Sequence, residues 1–265
     1  MKLSNKLYSL LLLFTIFLFS LPGISCAGDS IYQYSLIDSL LAGNYDGELT
    51  IGTLKKHGDT GLGTFNRLDG EMVFLDGEVY RIDAHGKAIR IDDSECTPFA
   101  AAAFFKTGKI IKLDSVKSIK ELNDKISKSL DSENLFYLIR IDGKFHKIRT
   151  RSVPAQQKPY PPLKEVVKEQ SIFAFKDITG TLIGIKSPSY VKGIGVPGFH
   201  WHFINRERTS GGHVLNCIFS DLAAKVGTYN EFQLQLPENK SFLDAKFEQD
   251  RQKELKEVEK DSEKK

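Results

Sequence analysis

Three histidines form the grouping in this sequence that is most able to do chemistry. His200 and His202 are separated by one residue, and His213 follows the glycine pair Gly211–Gly212. Side chains alternate between the two faces of a strand, so His200 and His202 point to the same side. A turn through the two glycines lets the chain return antiparallel and brings His213 opposite them. The spacing therefore predicts a cluster of three imidazoles.

Three imidazoles with a fourth position left open are typical of catalytic zinc, whereas a closed structural site has four protein ligands, commonly cysteines. Cys217 is near in sequence, but four positions along a strand place it roughly 12 Å from His213, so we predict a core residue. The histidines have an alternative interpretation as polar residues of an exposed strand or as a satisfied core pair. Carbonic anhydrase and cupin-like proteins build comparable sites, so the pattern indicates a metal and leaves the reaction open.

The elements that position this cluster are mostly strands. Residues 46–90 contain short apolar runs that are broken by glycines, and Asp69–Gly70 and Asp76–Gly77 are strong hairpin signals. This part of the chain predicts a β-meander or part of a barrel. The run at 136–141, followed by Asp142–Gly143 and by residues 144–151, predicts a further hairpin.

Helices are fewer in the predicted fold. Residues 115–132 have apolar side chains near helical spacing, after a cap at Asp114 or Ser115. The charged tail, 242–265, predicts a second helix. Four prolines between Val153 and Leu163 indicate a linker or a rigid crossover. Further strands are predicted at 172–175, 180–186, 198–205, 212–219 and 225–236. We expect a β-rich α/β protein with two β-sheet subdomains, 28–160 and 161–265.

The first 27 residues have the pattern of a signal peptide. Lys2 and Lys6 precede an apolar run that is shorter than a membrane span, and small residues follow it. Cleavage after Ala27 would release an exported protein, and lipid attachment at Cys26 would instead tether it. Loss of the two lysines lowers the formal net charge from +3 to +1. Such a charge gives no field of one sign that would recruit nucleic acid.

Several blocks resemble the acetolactate decarboxylase family. They are residues 58–65, 68–72, 150–154 and 158–162 together with the histidine block, in the family's order, within a likeness that runs from about Ile31 to Phe247. The resemblance implies a two-part α/β subunit that forms a homodimer. It also implies one Zn²⁺ on His200, His202 and His213, with no organic cofactor.

The resemblance also implies four further site residues. Glu71 and Arg151 match a catalytic glutamate and arginine, and Thr64 matches a pocket-lining position. The family's second glutamate falls in the tail, where Glu257 and Glu259 both fit, and we take Glu257 as the catalytic residue. Without the family, Glu71 would be an exposed hairpin residue, Arg151 a surface ion-pair partner beside Arg149, and the tail glutamates a solvated helix face.

The implied reaction is decarboxylation of 2-acetolactate to acetoin and carbon dioxide. Zinc would chelate the ketone and hydroxyl oxygens of the substrate and stabilise the enediolate that is formed. Arg151 would bind the carboxylate, while Glu71 and the tail glutamate handle protons. The alternatives are an exported zinc hydrolase or hydratase, which explains the histidines alone, and a non-catalytic β-protein that binds metal or carbohydrate.

Overall fold

The computed structural model describes residues 30–259, so the signal-peptide prediction lies outside the described residues, as does the tail beyond Glu259. The strands are β1 (Ser30–Tyr34), β2 (Leu49–Thr50), β3 (Thr60–Thr64), β4 (Glu71–Leu75), β5 (Glu78–Ile82), β6 (Ala88–Arg90), β7 (Cys96–Thr97), β8 (Ala100–Ala103), β9 (Lys109–Val116), β10 (Phe136–Ser152), β11 (Ser171–Ser187), β12 (Gly198–Asn205), β13 (Gly211–Tyr229) and β14 (Glu231–Gln235). The helices are α1 (Ile37–Leu41), α2 (Ile51–Leu54), α3 (Ile119–Ser127), α4 (Leu163–Val166), α5 (Lys240–Leu243) and α6 (Gln252–Glu259). Among residues 30–259, no helix has the length and hydrophobicity that a membrane crossing requires.

The first large sheet has seven strands in the order β14-β1-β8-β3-β4-β5-β6. All neighbours are antiparallel except β1 and β14, which run parallel. The hairpin predicted at Asp76–Gly77 is confirmed, since both residues have the positive φ angles that a tight two-residue turn between β4 and β5 requires. Asp69–Gly70 instead leads from a 3₁₀ turn into β4, so the predicted strand begins only at Glu71.

The second large sheet has the order β10-β11-β12-β13-β9, and a further pairing of β10 with β13 closes its first four strands into a small barrel. The hairpin predicted at Asp142–Gly143 is wrong, because β10 runs straight through this point. Both residues pair with β11, and the Asp142 carboxylate is held by Arg140 and Thr181. The runs predicted at 172–175 and 180–186 likewise merge into β11. The run at 212–219 merges with the first part of the run at 225–236 into β13, which ends at Tyr229, and Glu231–Gln235 form the separate strand β14.

Two predicted elements are shorter than expected. Ser115 belongs to β9, and α3 begins at Ile119 because the hydroxyl of Ser118 accepts a hydrogen bond from the Glu121 amide at 3.1 Å. The first apolar run of residues 46–90 forms only the two-residue β2, since Thr50 caps α2 in the same way. In both cases a short polar side chain ends the strand by supplying a helix cap.

The two large sheets pack face to face. A buried cluster joins Ile31, Leu62 and Val73 of the seven-stranded sheet to Leu138 and Ile183 of the five-stranded sheet. The five-stranded sheet takes strands from both sides of residue 160. Cys217 lies in the core of this sheet, as predicted, and its thiol is free, as is that of Cys96. The predicted β-rich α/β class is confirmed.

A smaller cluster of helices covers one end of the two sheets. Ile37 and Leu40 of α1, Leu163 of α4, and Leu255 and Val258 of α6 share one buried apolar cluster. The tail therefore forms two short helices, and α6 is held against the body of the molecule by its apolar face. This arrangement carries the end of α6 to the histidines.

Candidate metal centre and active site

The three histidines meet because β12 and β13 pair directly. His202 lies opposite His213 in the antiparallel register, and His200 precedes His202 on the same face of β12. Gly212 has a φ of +133°, and a Cβ there would come within 2.4 Å of the Arg151 carbonyl oxygen. A larger residue at this position would push β13 away from β10. The double glycine is thus required for close strand packing at the site.

The imidazole nitrogens have the spacing of a metal ligand set. His200 Nε2 lies 3.2 Å from His202 Nε2 and 3.1 Å from His213 Nδ1. Bonds of about 2.0–2.1 Å at tetrahedral angles would place ligand nitrogens roughly 3.3 Å apart. The Nδ1–H of His202 donates to the Met72 carbonyl at 2.7 Å, which orients the ring and leaves Nε2 as its ligand atom. The residues present therefore fit a divalent metal ion.

Burial also sets the protonation state of these rings. It lowers the pKa of His200 to about 3, and the nearby positive charge of Arg151 adds to the effect. The pKa values of His202 and His213 are likewise held well below 6.5, mainly by burial. All three imidazoles are consequently neutral at pH 7, the form in which histidine binds a metal.

Glu71 begins β4 and faces the same cluster. Its Oε2 lies 3.6 Å from His202 Nε2. Burial raises the pKa of Glu71 to about 7; the charge of Arg151 opposes this shift, and that of Glu259 adds to it. A carboxyl group with this pKa can both give and accept a proton near neutral pH. Glu71 is thus a pocket residue whose side chain is only 12% exposed, unlike the exposed hairpin residue that its local sequence alone favours.

Arg151 is 4% exposed and lines the same pocket as the histidines. Its Nη1 donates to the Val258 carbonyl at 2.5 Å and to Gln170 Oε1 at 3.2 Å. Its Nε is buried and has no hydrogen-bond partner within residues 30–259. Such a cation, fixed on one side and with an unused donor, suits recognition of a carboxylate. Arg149, two positions earlier, lines a different pocket with Phe175 and Asn216.

The tail contributes Glu259 rather than Glu257. Glu259 lines the pocket, and its Oε2 lies 3.6 Å from His213 Nε2. Glu257 is exposed on the outer face of α6 and is not part of this pocket. Burial raises the pKa of Glu259, and the charge of Arg151 opposes that shift. The helix face is set by Leu255 and Val258, which pack inward.

Thr64 lines the pocket, but its hydroxyl donates to the Gly70 carbonyl at 2.7 Å. It also pairs with Glu71 across β3 and β4. The same hydrogen bond and strand pairing hold the backbone at Glu71 in place.

Sequence reasoning missed the apolar wall of the pocket. The side chains of this wall come from α1, α4, α6 and the adjoining loops, and they include Ile37, Leu40, Leu68, Phe99, Val153, Leu163, Val167 and Val258. These positions are scattered along the chain and have the composition of ordinary core. No local sequence signal separates them from the rest of the core.

Comparison with known proteins identifies the family. A family model described as alpha-acetolactate decarboxylase matches residues 31–249. The alpha-acetolactate decarboxylase of Methanosarcina mazei is 43% identical over 234 residues, which cover 88% of this chain and 81% of the relative. That of Bacillus licheniformis is 43% identical over 219 residues, covering 83% and 87%. The crystal structure of the Bacillus subtilis strain 168 alpha-acetolactate decarboxylase superposes with a TM-score of 0.85 at 39% identity, covering 88% of this chain and 100% of the other. The chain therefore belongs to the alpha-acetolactate decarboxylase family.

Proposed function

We propose that this protein is a zinc-dependent carboxy-lyase that converts 2-acetolactate to acetoin and carbon dioxide. One observation carries the proposal: a cluster of three imidazoles, two of them buried, lies together with Arg151 and two pocket carboxyl groups at one cavity in a member of this family. A zinc hydrolase or hydratase would explain the three histidines but not the other residues of the cavity. A non-catalytic metal-binding protein needs neither Arg151 nor Glu71 beside them.

We propose zinc as the metal because three neutral imidazoles leave a coordination position open, as in catalytic zinc sites. When bound, the metal would act as a Lewis acid. The ketone and hydroxyl oxygens of the substrate would chelate it, and it would stabilise the negative charge left by decarboxylation. His200, His202 and His213 would hold it. Other divalent ions also bind imidazole, so the identity of the metal is measured by elemental analysis of protein from its native host.

The remaining residues act on the substrate's carboxylate and on protons. Arg151 offers its unused Nε to the carboxylate and positions it for loss of carbon dioxide. The apolar wall around the pocket excludes water and accepts the two methyl groups of acetolactate. Glu71, whose pKa lies near 7, and Glu259 are the groups able to deliver a proton to one face of the product. This assignment replaces Glu257 by Glu259.

The decisive experiment pairs metal analysis with a product assay on the purified protein. We expect about one zinc per chain and acetoin from acetolactate, with activity lost on chelation and restored by added Zn²⁺. Metal without acetoin would favour a hydrolase or hydratase. Activity that is indifferent to chelation would refute the metal's role.

We also propose export and dimer formation. The pattern of residues 1–27 supports export, either as a free protein cut after Ala27 or as one tethered by a lipid on Cys26. Intact-mass analysis of protein from the native host distinguishes Gly28 from a modified Cys26 as the first residue, and recovery of Met1 would refute both. Light scattering of the purified protein at several concentrations tests the homodimer.

A further inference from the structure

The last turn of α6 delivers Glu259 to the pocket, yet α6 has only eight residues. Isolated helices shorter than about 12–15 residues are marginal in water, so contacts with the rest of the molecule must hold this one in place. At its C-terminal end, Arg151 donates to the Val258 carbonyl, and Leu255 and Val258 pack into the helical cluster. These contacts act near the C-terminal end of α6, so the first turn of the helix needs contacts of its own.

The first turn is held by Arg251. The backbone carbonyl of Arg251 accepts a hydrogen bond from the Leu255 amide, and its Nη1 donates to Glu254 Oε2 at 2.9 Å. The two side chains are only 18% and 14% exposed, so water screens this ion pair far less than it screens a surface pair.

The charge of this cation also acts on a second carboxylate, Asp38 of α1. Asp38 is 7% exposed, and one oxygen of Asp38 and one of Glu254 are buried without a hydrogen-bond partner within residues 30–259. Burial raises the pKa of Asp38, and the charge of Arg251 lowers it; Asp250 and Glu254 raise it further, and Lys192, which pairs with Asp250, lowers it. Arg251 thus compensates two buried carboxylates that would otherwise repel each other.

We propose that Arg251 is a positioning residue for decarboxylation. Its guanidinium group pairs with Glu254 and so neutralises a carboxylate that the first turn of α6 holds largely out of water. The opposite end of α6 then holds Glu259 at 3.6 Å from His213. This inference rests on the proposed function, because it assigns Arg251 its effect through Glu259.

Removing the guanidinium should lower turnover without removing the metal. In Arg251→Met, we expect kcat to fall roughly 10- to 100-fold, the range for a misplacement of about 1 Å, while bound zinc is unchanged. Arg251→Lys should retain part of the activity, because it keeps the charge but loses the planar fork. Lys253→Ala is the matched control, since Lys253 is exposed on the same helix. Turnover of Arg251→Met within about twofold of wild type would overturn the proposal.

Two further measurements separate positioning from a general loss of stability. In a Glu259→Gln background, Arg251→Met should cost little additional activity, whereas independent effects would multiply. Adding Glu254→Gln to Arg251→Met should restore part of the lost turnover, because the first turn of α6 then holds no uncompensated carboxylate. Multiplicative losses, or no rescue by Glu254→Gln, would contradict a role through α6.

Hydrogen exchange gives a readout that does not depend on catalysis. Amides 252–259 should exchange faster in Arg251→Met than in Lys253→Ala, in metal-free and metal-loaded protein alike, while those of β12 and β13 should not change. Unchanged exchange in α6 would refute the anchoring. If the wild-type protein makes no acetoin, the proposed function fails, and the exchange experiment still decides whether Arg251 anchors the helix.

Discussion

At the scale of single residues, the site joins a metal-binding cluster to groups whose charges are controlled by burial. The histidines are kept neutral, Glu71 is held near its point of half-ionisation, and Arg151 carries the fixed positive charge. Each property is needed by the proposed chemistry. Burial produces the first two, whereas the guanidinium of Arg151 is charged in any surroundings.

Replacing His202 by Ala should release the metal. His202 is fully buried, and its ring is oriented by the Met72 carbonyl, so no neighbouring group can take its place. We expect loss of bound zinc and of acetoin formation, measured by elemental analysis and by product assay. His146→Ala, which changes an exposed histidine of β10, should retain both. A His202→Ala protein with full zinc and full activity would contradict the metal assignment.

Arg151, rather than its neighbour Arg149, should carry catalysis. Loss of a charge-assisted contact made in the transition state should lower kcat by one to several orders of magnitude, at about 1.4 kcal/mol per tenfold. Arg151→Lys should rescue only part of this loss, and zinc content should not change. Comparison of Arg149→Ala, Arg151→Ala and Arg151→Lys tests the assignment. A larger loss of turnover in Arg149→Ala than in Arg151→Ala would mean that Arg149, and not Arg151, is the catalytic cation.

Glu71 should make the stability of the metal-free protein depend on pH. Its folded-state pKa of about 7 is raised above its ordinary 4.5, so its stabilising contribution is present below about pH 4.5 and is lost as the pH rises toward 7. Glu71→Gln cannot ionise. The variant should match wild type near pH 4.5 and exceed it by up to about 3 kcal/mol above pH 7. Urea unfolding of chelated protein across this range measures the difference, and a pH-independent difference would refute the shift.

The residue scale is also where sequence reasoning reached furthest. Strand alternation and the double glycine predicted the meeting of His200, His202 and His213, which the structure confirms. The choice between the tail glutamates required the helix face. Leu255 and Glu259 are four positions apart and lie on one side of α6, a periodicity that the sequence contains but that the dense charge of the tail obscures.

At the scale of elements, β12 carries the candidate metal ligands on one face, and its other face packs into the core. Phe199, Trp201 and Phe203 point into the barrel core, opposite His200 and His202. The Trp201 indole also donates to Asn123 Oδ1 at 2.8 Å, which links β12 to α3. The ligands are therefore held by packing behind them as well as by strand pairing.

Gly184→Ala should disturb the packing of β12 on the face opposite the histidines. Gly184 pairs with Trp201, and a Cβ there would come within 2.2 Å of the indole ring, which is buried and cannot move freely. We expect a loss of about 1–3 kcal/mol in the free energy of unfolding and weaker zinc binding. Gly108→Ala is the control, since an added Cβ would lie 3.6 Å from its nearest neighbour. Denaturant unfolding and a zinc competition assay measure both effects; equal behaviour of the two variants would contradict the packing argument.

Long strands were the elements that sequence predicted least well. Asp142–Gly143 carries a strong local turn signal, but the continuous pairing of both residues with β11 overrides it. Such pairing joins residues far apart in the chain, so no short window of sequence contains it. Asp76–Gly77 has the same local signal and does form the turn, because the strands on its two sides, β4 and β5, pair with each other.

At the scale of the whole molecule, the pocket is assembled from both ends of the described chain. α1 follows the first strand and α6 ends the described residues, and they share one apolar cluster over the histidines. The catalytic cavity therefore exists only in the complete fold.

A truncation after Asp250 should separate folding from activity. It removes α6, which supplies Glu259 and the carbonyl that holds Arg151, but leaves both large sheets. We expect a retained strand signal in circular dichroism, a lower Tm and loss of acetoin formation. A chain ending at Lys260 keeps α6 and should remain active. Substantial activity in the shorter protein would exclude a catalytic role for Glu259.

The parallel pairing of β1 with β14 has a consequence for the order of events during folding. The two strands are joined by the Tyr32–Gln235 hydrogen bond across 203 positions of sequence, so closing this contact carries a large loop entropy and comes late. A ribosome must release almost the whole chain before the seven-stranded sheet can be completed. Until then, β1 leaves an open sheet edge that a chaperone can engage. A protein whose first and last described strands pair in this way reaches its final sheet only when its synthesis is nearly finished.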